Sequence, residues 1–191
     1  NNSMSNREKL LEGALELFAT RGYDAVGVQE IADHAGVQKP TLYHYFGSKT
    51  GLLQTLLVQN LGPFPDEVEI AATYDHNVLL SLRGTTETYF NFAAQHSSLY
   101  RLFLGLWFAP PTSEPFQLVA AYNQRQQEIL ETLFYKASLD HGNMKDRQRA
   151  YAATFLGMVN TYIGLGLNGH VRLDAVLVQN AAHQFMHGIF S

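Results

Sequence analysis

Apolar residues recur along this chain at intervals of three and four, and no segment alternates strictly between apolar and polar. That period belongs to helices with one buried face. The first stripe, Leu10, Leu11, Ala14, Leu15, Leu17 and Phe18, predicts a helix from Arg7 to Arg21 that Gly22 stops. A second stripe, Val28, Ile31, Ala32 and Ala35, starts after Gly27 and ends at Gly36, where glycine can take the left-handed backbone that closes a helix. Val37 then fills the corner. Pro40 follows in the first turn of a third helix, where its missing N–H costs nothing and its φ is already helical. Leu42, Tyr45 and Phe46 are expected to face inward, leaving Lys39 and Tyr43 on another face, flanked by Thr41 and His44. Ser48 can cap a fourth helix from Lys49, carrying Leu52, Leu53, Leu56 and Leu57.

Beyond Asn60 the run Leu61-Gly62-Pro63-Phe64-Pro65 breaks the pattern, and a loop is expected to about Asn77. Helices are predicted at Val78 to Gln95, Leu99 to Phe108, and Pro115 or Phe116 to about Leu139. Two more follow, near Asp146 to Leu167 and Leu173 to Ile189. The predicted fold is all-α, with no repeat of fixed period.

Two short helices on a tight glycine turn, the second presenting Lys, Thr, Tyr and His outward, are the layout of a helix-turn-helix that enters a DNA major groove. Charge placement supports this more than charge total. The formal net charge is −4, so the chain is no polybasic nucleic-acid binder. Yet His34 through Pro65 holds no Asp or Glu, while Lys39 and Lys49 fall inside that window. An anionic duplex would meet a locally acid-free surface, in a field weak enough that specific contacts must matter. With no Cys, disulfides and thiolate metal sites are excluded. No apolar run approaches the roughly 20 residues that span a bilayer, and no signal peptide precedes Met4, so a cytoplasmic protein with no membrane partner is expected. Asn1, Asn2 and Ser3 ahead of that Met read as a cloning remnant.

Leu15 to Leu53, above all Gly36-Val37, Pro40-Thr41-Leu42-Tyr43-His44-Tyr45-Phe46 and Ser48-Lys49, resembles the tetracycline-repressor (TetR) family of bacterial transcriptional regulators. The resemblance implies an N-terminal three-helix DNA-binding domain, here 4–50, on a helical ligand-binding and dimerisation domain, 51–191. It further implies a homodimer on double-stranded operator DNA. Position by position, Gln29 matches a polar contact on the first helix of the pair, and Gln38 and Lys39 match base readers at the recognition-helix start. Thr41, Tyr43, His44 and Lys49 match positions that touch the DNA backbone. The chemistry is consistent: Lys suits guanine O6 and N7, Gln pairs bidentately with adenine, and hydroxyl and imidazole groups suit phosphate. Two departures stand out. Val26-Gly27 replaces the usual capping Thr or Ser of the second helix, and Thr50-Gly51 replaces the acidic residues that usually follow Ser48-Lys49. A glycine in that first turn should cost about 1 kcal/mol.

Aromatics crowd the middle of the chain. Most must be core, but Tyr89, Phe92, Phe103, Trp107 and Tyr122, with Tyr162 further on, are candidates for lining an apolar effector cavity. Arg83 and Arg101 are candidate anion anchors. By the same resemblance, an inducer of unknown identity changes the separation of the DNA-binding units, and the last two helices form the dimer seam. Ala150, Ala152, Ala153, Gly157, Gly164 and Gly166 are small enough there for close approach. Two motifs are rejected. Gly164 to Gly169 matches GxGxxG but ends a helix with too little chain beyond it for a dinucleotide-binding unit. His183 and His187 have metal-pair spacing but no third ligand. No cofactor is expected. The competing readings are an all-α enzyme, for which no nucleophile, carboxylate pair or phosphate loop is evident, and a DNA-binding protein without small-molecule input.

Overall fold

A computed structural model describes residues 3–190, and among these no residue is in a strand. Of the three residues expected to be a cloning remnant, Asn1 and Asn2 lie outside the described residues. Helix α1 (Asn6–Arg21) opens with a reciprocal cap. Ser5 Oγ accepts from the Glu8 N–H at 3.2 Å, and the Glu8 carboxylate accepts from the Ser5 N–H at 3.1 Å. Gly22, at φ 85°, ends it. Helix α2 (Val28–Ala35) closes on Gly36 in the left-handed region, and Val37 N–H reaches back to Ala32 O at 2.9 Å. Helix α3 (Lys39–Phe46) carries Pro40 in its first turn. Helix α4 (Lys49–Leu61) is capped by Ser48, whose Oγ accepts from Gly51 N–H at 2.9 Å. Of the expected stripes, Leu10, Leu11, Ala14, Phe18, Ile31, Ala32, Leu42, Leu52, Leu53, Leu56 and Leu57 are buried, while Leu15, Leu17, Val28, Ala35 and Phe46 are half-buried. One expectation fails. Tyr45 is exposed, because in an eight-residue helix whose inward line is Leu42 and Phe46 it falls on the flank, edge-on to His44.

The expected loop from Leu61 to Asn77 contains instead a helix, α5 (Phe64–Ala71). Its two prolines sit at the N-cap and in the first turn, where proline starts a helix rather than breaks one, with Asp66 and Glu67 favourably placed beside the positive end of the helix dipole. Helices α6 (Val78–Gln95), α7 (Ser97–Trp107) and α8 (Glu114–Asp140) follow, then a 3-10 turn at Gly142–Met144. Helix α9 (Gln148–Leu167) and α10 (Ala175–His187) are shorter at their starts than predicted. Asp146 takes a positive φ before α9, and Asp174 caps α10 through Leu177 N–H.

The chain divides into two compact units, one of residues up to Gly62 with Ser98–Ala120, the other of Pro63–Ser97 with Ala121 onward. Within the first, α1 packs against α2, α3 and α4, and nearly all of α7 belongs to the same unit. Within the second, α6 packs against α5, α9 and α10. No helix among the described residues is long and apolar enough to cross a membrane.

Candidate nucleic-acid interface

Helix α3 buries Leu42 and turns Lys39, Pro40, Tyr43 and His44 to solvent. Lys39 opens the helix, and its Nζ lies 6.0 Å from the centre of the Tyr43 ring one turn on, so a cation and a phenol share one edge. Gln38, the N-cap residue, is exposed and makes no side-chain cap, which leaves its amide for another partner. Thr41 is half-buried on the flank. Gln29 is exposed on α2, but its amide is engaged, donating to Asp33 Oδ1 at 2.8 Å.

Helix α2 makes up for its missing side-chain cap. The Glu30 carboxylate accepts from the Gly27 N–H at 3.2 Å and pairs with Arg21, which also donates to Ala25 O at 3.1 Å. These bonds hold the Glu30 carboxyl below its usual range. The end of α1 is thereby fastened to the start of α2.

Lys49 is held differently from Lys39. Its Nζ sits 4.0 Å from the centre of the Tyr23 ring and 5.9 Å from that of Phe18, partly covered, and burial lowers its pKa. The Tyr23 hydroxyl meets Thr50 Oγ1 at 3.1 Å, and Thr50 donates in turn to Glu114 at the start of α8. Thr50, a departure from the family pattern, thus joins the α1–α2 turn to α8. Gly51 has its own reason: a Cβ there would lie 2.0 Å from the carbonyl oxygen of Phe46. The end of α3 and the start of α4 approach more closely than any side chain permits.

The six aromatics proposed for an effector cavity are divided between the units. Phe103, buried, and Trp107, half exposed, belong to the first; Tyr89, Phe92, Tyr122 and Tyr162 belong to the second. Tyr89 and Phe92 pack on Phe64 of α5, at 5.2 and 3.9 Å between ring centres. The Tyr89 hydroxyl donates to Gln126 Oε1 at 2.7 Å. Tyr122 is half-buried, which raises its pKa. Tyr162 lines a cavity of about 870 Å³ with Phe134, Tyr151, Met158, Phe185 and Met186. Arg83 is partly covered, and its buried Nε has no partner. Asn123 and Gln126, which an apolar pattern does not single out, are both buried on α8. Their mark in the sequence is that they interrupt the inward stripe of Val119, Leu130, Leu133 and Ala137.

On α9, Ala152 is buried and a Cβ on Gly166 would meet Leu173 at 2.7 Å, so both serve packing inside the chain. Ala153 and Gly157 face outward. The Gly164 to Gly169 run ends α9, with Gly169 at φ 78°. The His183 and His187 rings lie 4.4 Å apart, and no metal-binding group of three ligands occurs among the described residues.

A model of the family described as bacterial regulatory proteins, tetR family, matches residues 10–56. The HTH-type transcriptional activator FasR of Mycolicibacterium smegmatis is 30% identical over 182 residues, which make up 95% of this chain and 81% of that protein. The structure of FadR from Bacillus subtilis in complex with stearoyl-CoA aligns with a TM-score of 0.76 at 21% identity, over 95% of this chain and 98% of that one. The fatty acid degradation regulator FadR from Bacillus halodurans gives 0.77 at 19% identity, over 100% and 99%. At these identities the two structures show a shared fold.

Proposed function

Because this chain belongs to the TetR family of bacterial regulatory proteins, and so is a helix-turn-helix DNA-binding transcriptional regulator, we propose that it represses transcription as a homodimer on a palindromic operator and is released by a small apolar or aromatic effector. Operator binding is assigned to residues 4–50, and effector binding and dimerisation to 51–191. The observation that carries the DNA reading is the exposed edge of α3, where Lys39 and Tyr43 stand in a stretch of chain free of acidic residues. Gln38 and Lys39 read bases. Gln29, Thr41, Tyr43, His44 and Lys49 hold the backbone, Gln29 by exchanging its bond to Asp33 and Lys49 by leaving the Tyr23 ring.

Selection of bound duplexes from a randomised pool at near-physiological salt tests the reading. An enriched palindrome supports it, and failure of folded protein to enrich any sequence overturns it. FasR is a transcriptional activator, so transcription in vitro from the selected site decides the sign, and repression predicts less transcript when protein is added. The effector reading is supported by the aromatic-rich interior of the second unit, around Phe64, Tyr89 and Phe92. A structural neighbour was determined with stearoyl-CoA, which makes acyl compounds the first probes. Release of the selected duplex by micromolar stearoyl-CoA is the expected result.

A further inference from the structure

Asn123 occupies an inward position of α8, one turn before Gln126, and only 6% of it is exposed. Gln126 is engaged by the Tyr89 hydroxyl. Asn123 is not engaged: neither Oδ1 nor Nδ2 has a hydrogen-bond partner. Buried amides are almost always paired, because each carries a donor and an acceptor that water would otherwise satisfy. A leucine at this position would continue the stripe through Leu130 and Leu133 at no such cost. An orphaned amide on a stripe that apolar residues would fill more stably marks a place where something else completes the bonding.

We propose that Asn123 is the polar anchor of the effector site and that it takes an uncharged group with a carbonyl beside an N–H, a carboxamide. This rests on the effector reading above. An asparagine amide presents one acceptor and one donor side by side, and a carboxamide returns the complementary pair. Charge selects against the alternatives. Among the described residues, the buried polar side chains of the second unit are Ser81, Thr85, Thr86, Asn123 and Gln126, none of them charged at neutral pH, together with Tyr89, whose hydroxyl is given to Gln126, and Arg83 is only partly covered. A carboxylate or phosphate brought to Asn123 would lose its hydration without gaining a counter-charge. An ester would satisfy the donor of Asn123 and leave its acceptor bare.

The probes are decanamide, methyl decanoate and decanoate, titrated into the purified full chain by calorimetry and scored again by release of the selected duplex. The wild type should bind decanamide about tenfold more tightly than methyl decanoate, and decanoate more weakly still. Asn123→Leu should reduce the amide-over-ester preference to less than about threefold while the ester still binds. Asn123→Ala, which removes the amide without adding a branched side chain, should give the same result. A preference that survives both substitutions overturns the assignment. If stearoyl-CoA releases the duplex but the wild type shows no amide preference, the assignment falls and the effector reading stands. If stearoyl-CoA and all three probes leave the protein and its duplex unchanged, both fall.

Discussion

Two lysines of the DNA-binding unit differ in what holds them, and that difference separates their roles. Lys39 is exposed at the start of α3 with its ammonium at the edge of Tyr43, free to reach a base. Lys39→Ala should therefore cost about 1 to 3 kcal/mol at its cognate base pair and relax specificity there, with no change in melting temperature. Lys49 already binds the Tyr23 ring face, so its removal has two effects. Lys49→Ala should weaken all sequences alike and reduce the salt slope of binding by about one. It should also lower stability by about 0.5 to 1 kcal/mol, since a partly covered cation–π contact is lost. Competition binding against point-mutated operators, repeated at several salt concentrations, distinguishes the two. Equal loss across all base substitutions for Lys39→Ala would remove it from base reading. Both lysines were legible in the sequence as candidates, but the Tyr23 contact was not, because a ring in the α1–α2 turn meets Lys49 only through the folding of α1 against α4.

Glycine and proline show how far pattern reading carries at the level of an element. Caps and stops of α1 to α4 were legible because each is a local bond between neighbours in sequence. Gly51 read as a weakness of α4, and by propensity alone alanine there would gain about 1 kcal/mol. The Phe46 carbonyl reverses that sign, because a Cβ at 2.0 Å forces α3 and α4 apart. Gly51→Ala should thus lower the melting temperature and weaken operator binding together, and a gain in stability would contradict the close approach. Helix α5 is hidden from the pattern for a related reason: Pro63 and Pro65 read as breakers, whereas they stand at the N-cap and in the first turn of a helix whose Phe64 stacks against Phe92 of α6. Past α5, Tyr74 and His76 both bond Asp140 at the end of α8, each at 2.6 Å. These bonds raise the Tyr74 pKa to about 12, raise that of His76 and lower that of Asp140. The Asp140 contribution is lost as pH falls below the ordinary aspartate range, and the His76 contribution is lost as pH rises through its elevated value. The cluster therefore helps most between about pH 4 and 6.5. His76 is largely exposed, so the effect is small. Asp140→Asn should flatten the melting temperature between pH 5 and 8 (approximate bounds of the histidine transition), relative to a wild type that loses stability on going alkaline.

At the scale of the whole molecule, what the sequence could not supply is which helices share a core. Phe103 and Trp107 sit beside other aromatics in the chain, yet nearly all of α7, whose Leu99, Tyr100, Leu102, Phe103 and Leu106 are buried, falls in the unit of α1 to α4. Periodicity assigns a buried face but not its partner. The same limit applies to the outward face of α9, and here the structure supplies a clean test of the proposed dimer. Helix α9 buries Ala152, Phe155, Val159 and Ile163 within its own chain and turns Ala153, Gly157 and Leu165 outward. Nothing lies within 4 Å of a Cβ built on Gly157. A large side chain at that position has room in the single chain and improves helix propensity by about 1 kcal/mol, so it should fold at least as well. A second copy packed against α9 would have no such room, and a buried unpaired charge would add to the clash. Gly157→Arg should therefore convert a dimer into a folded monomer by light scattering, with an unchanged or higher melting temperature at low concentration. Its affinity for the full palindrome should collapse toward that for a half-site, because two recognition helices must be linked to read both halves at once. A Gly157→Arg protein that remains dimeric and binds the palindrome as the wild type does would place the seam elsewhere.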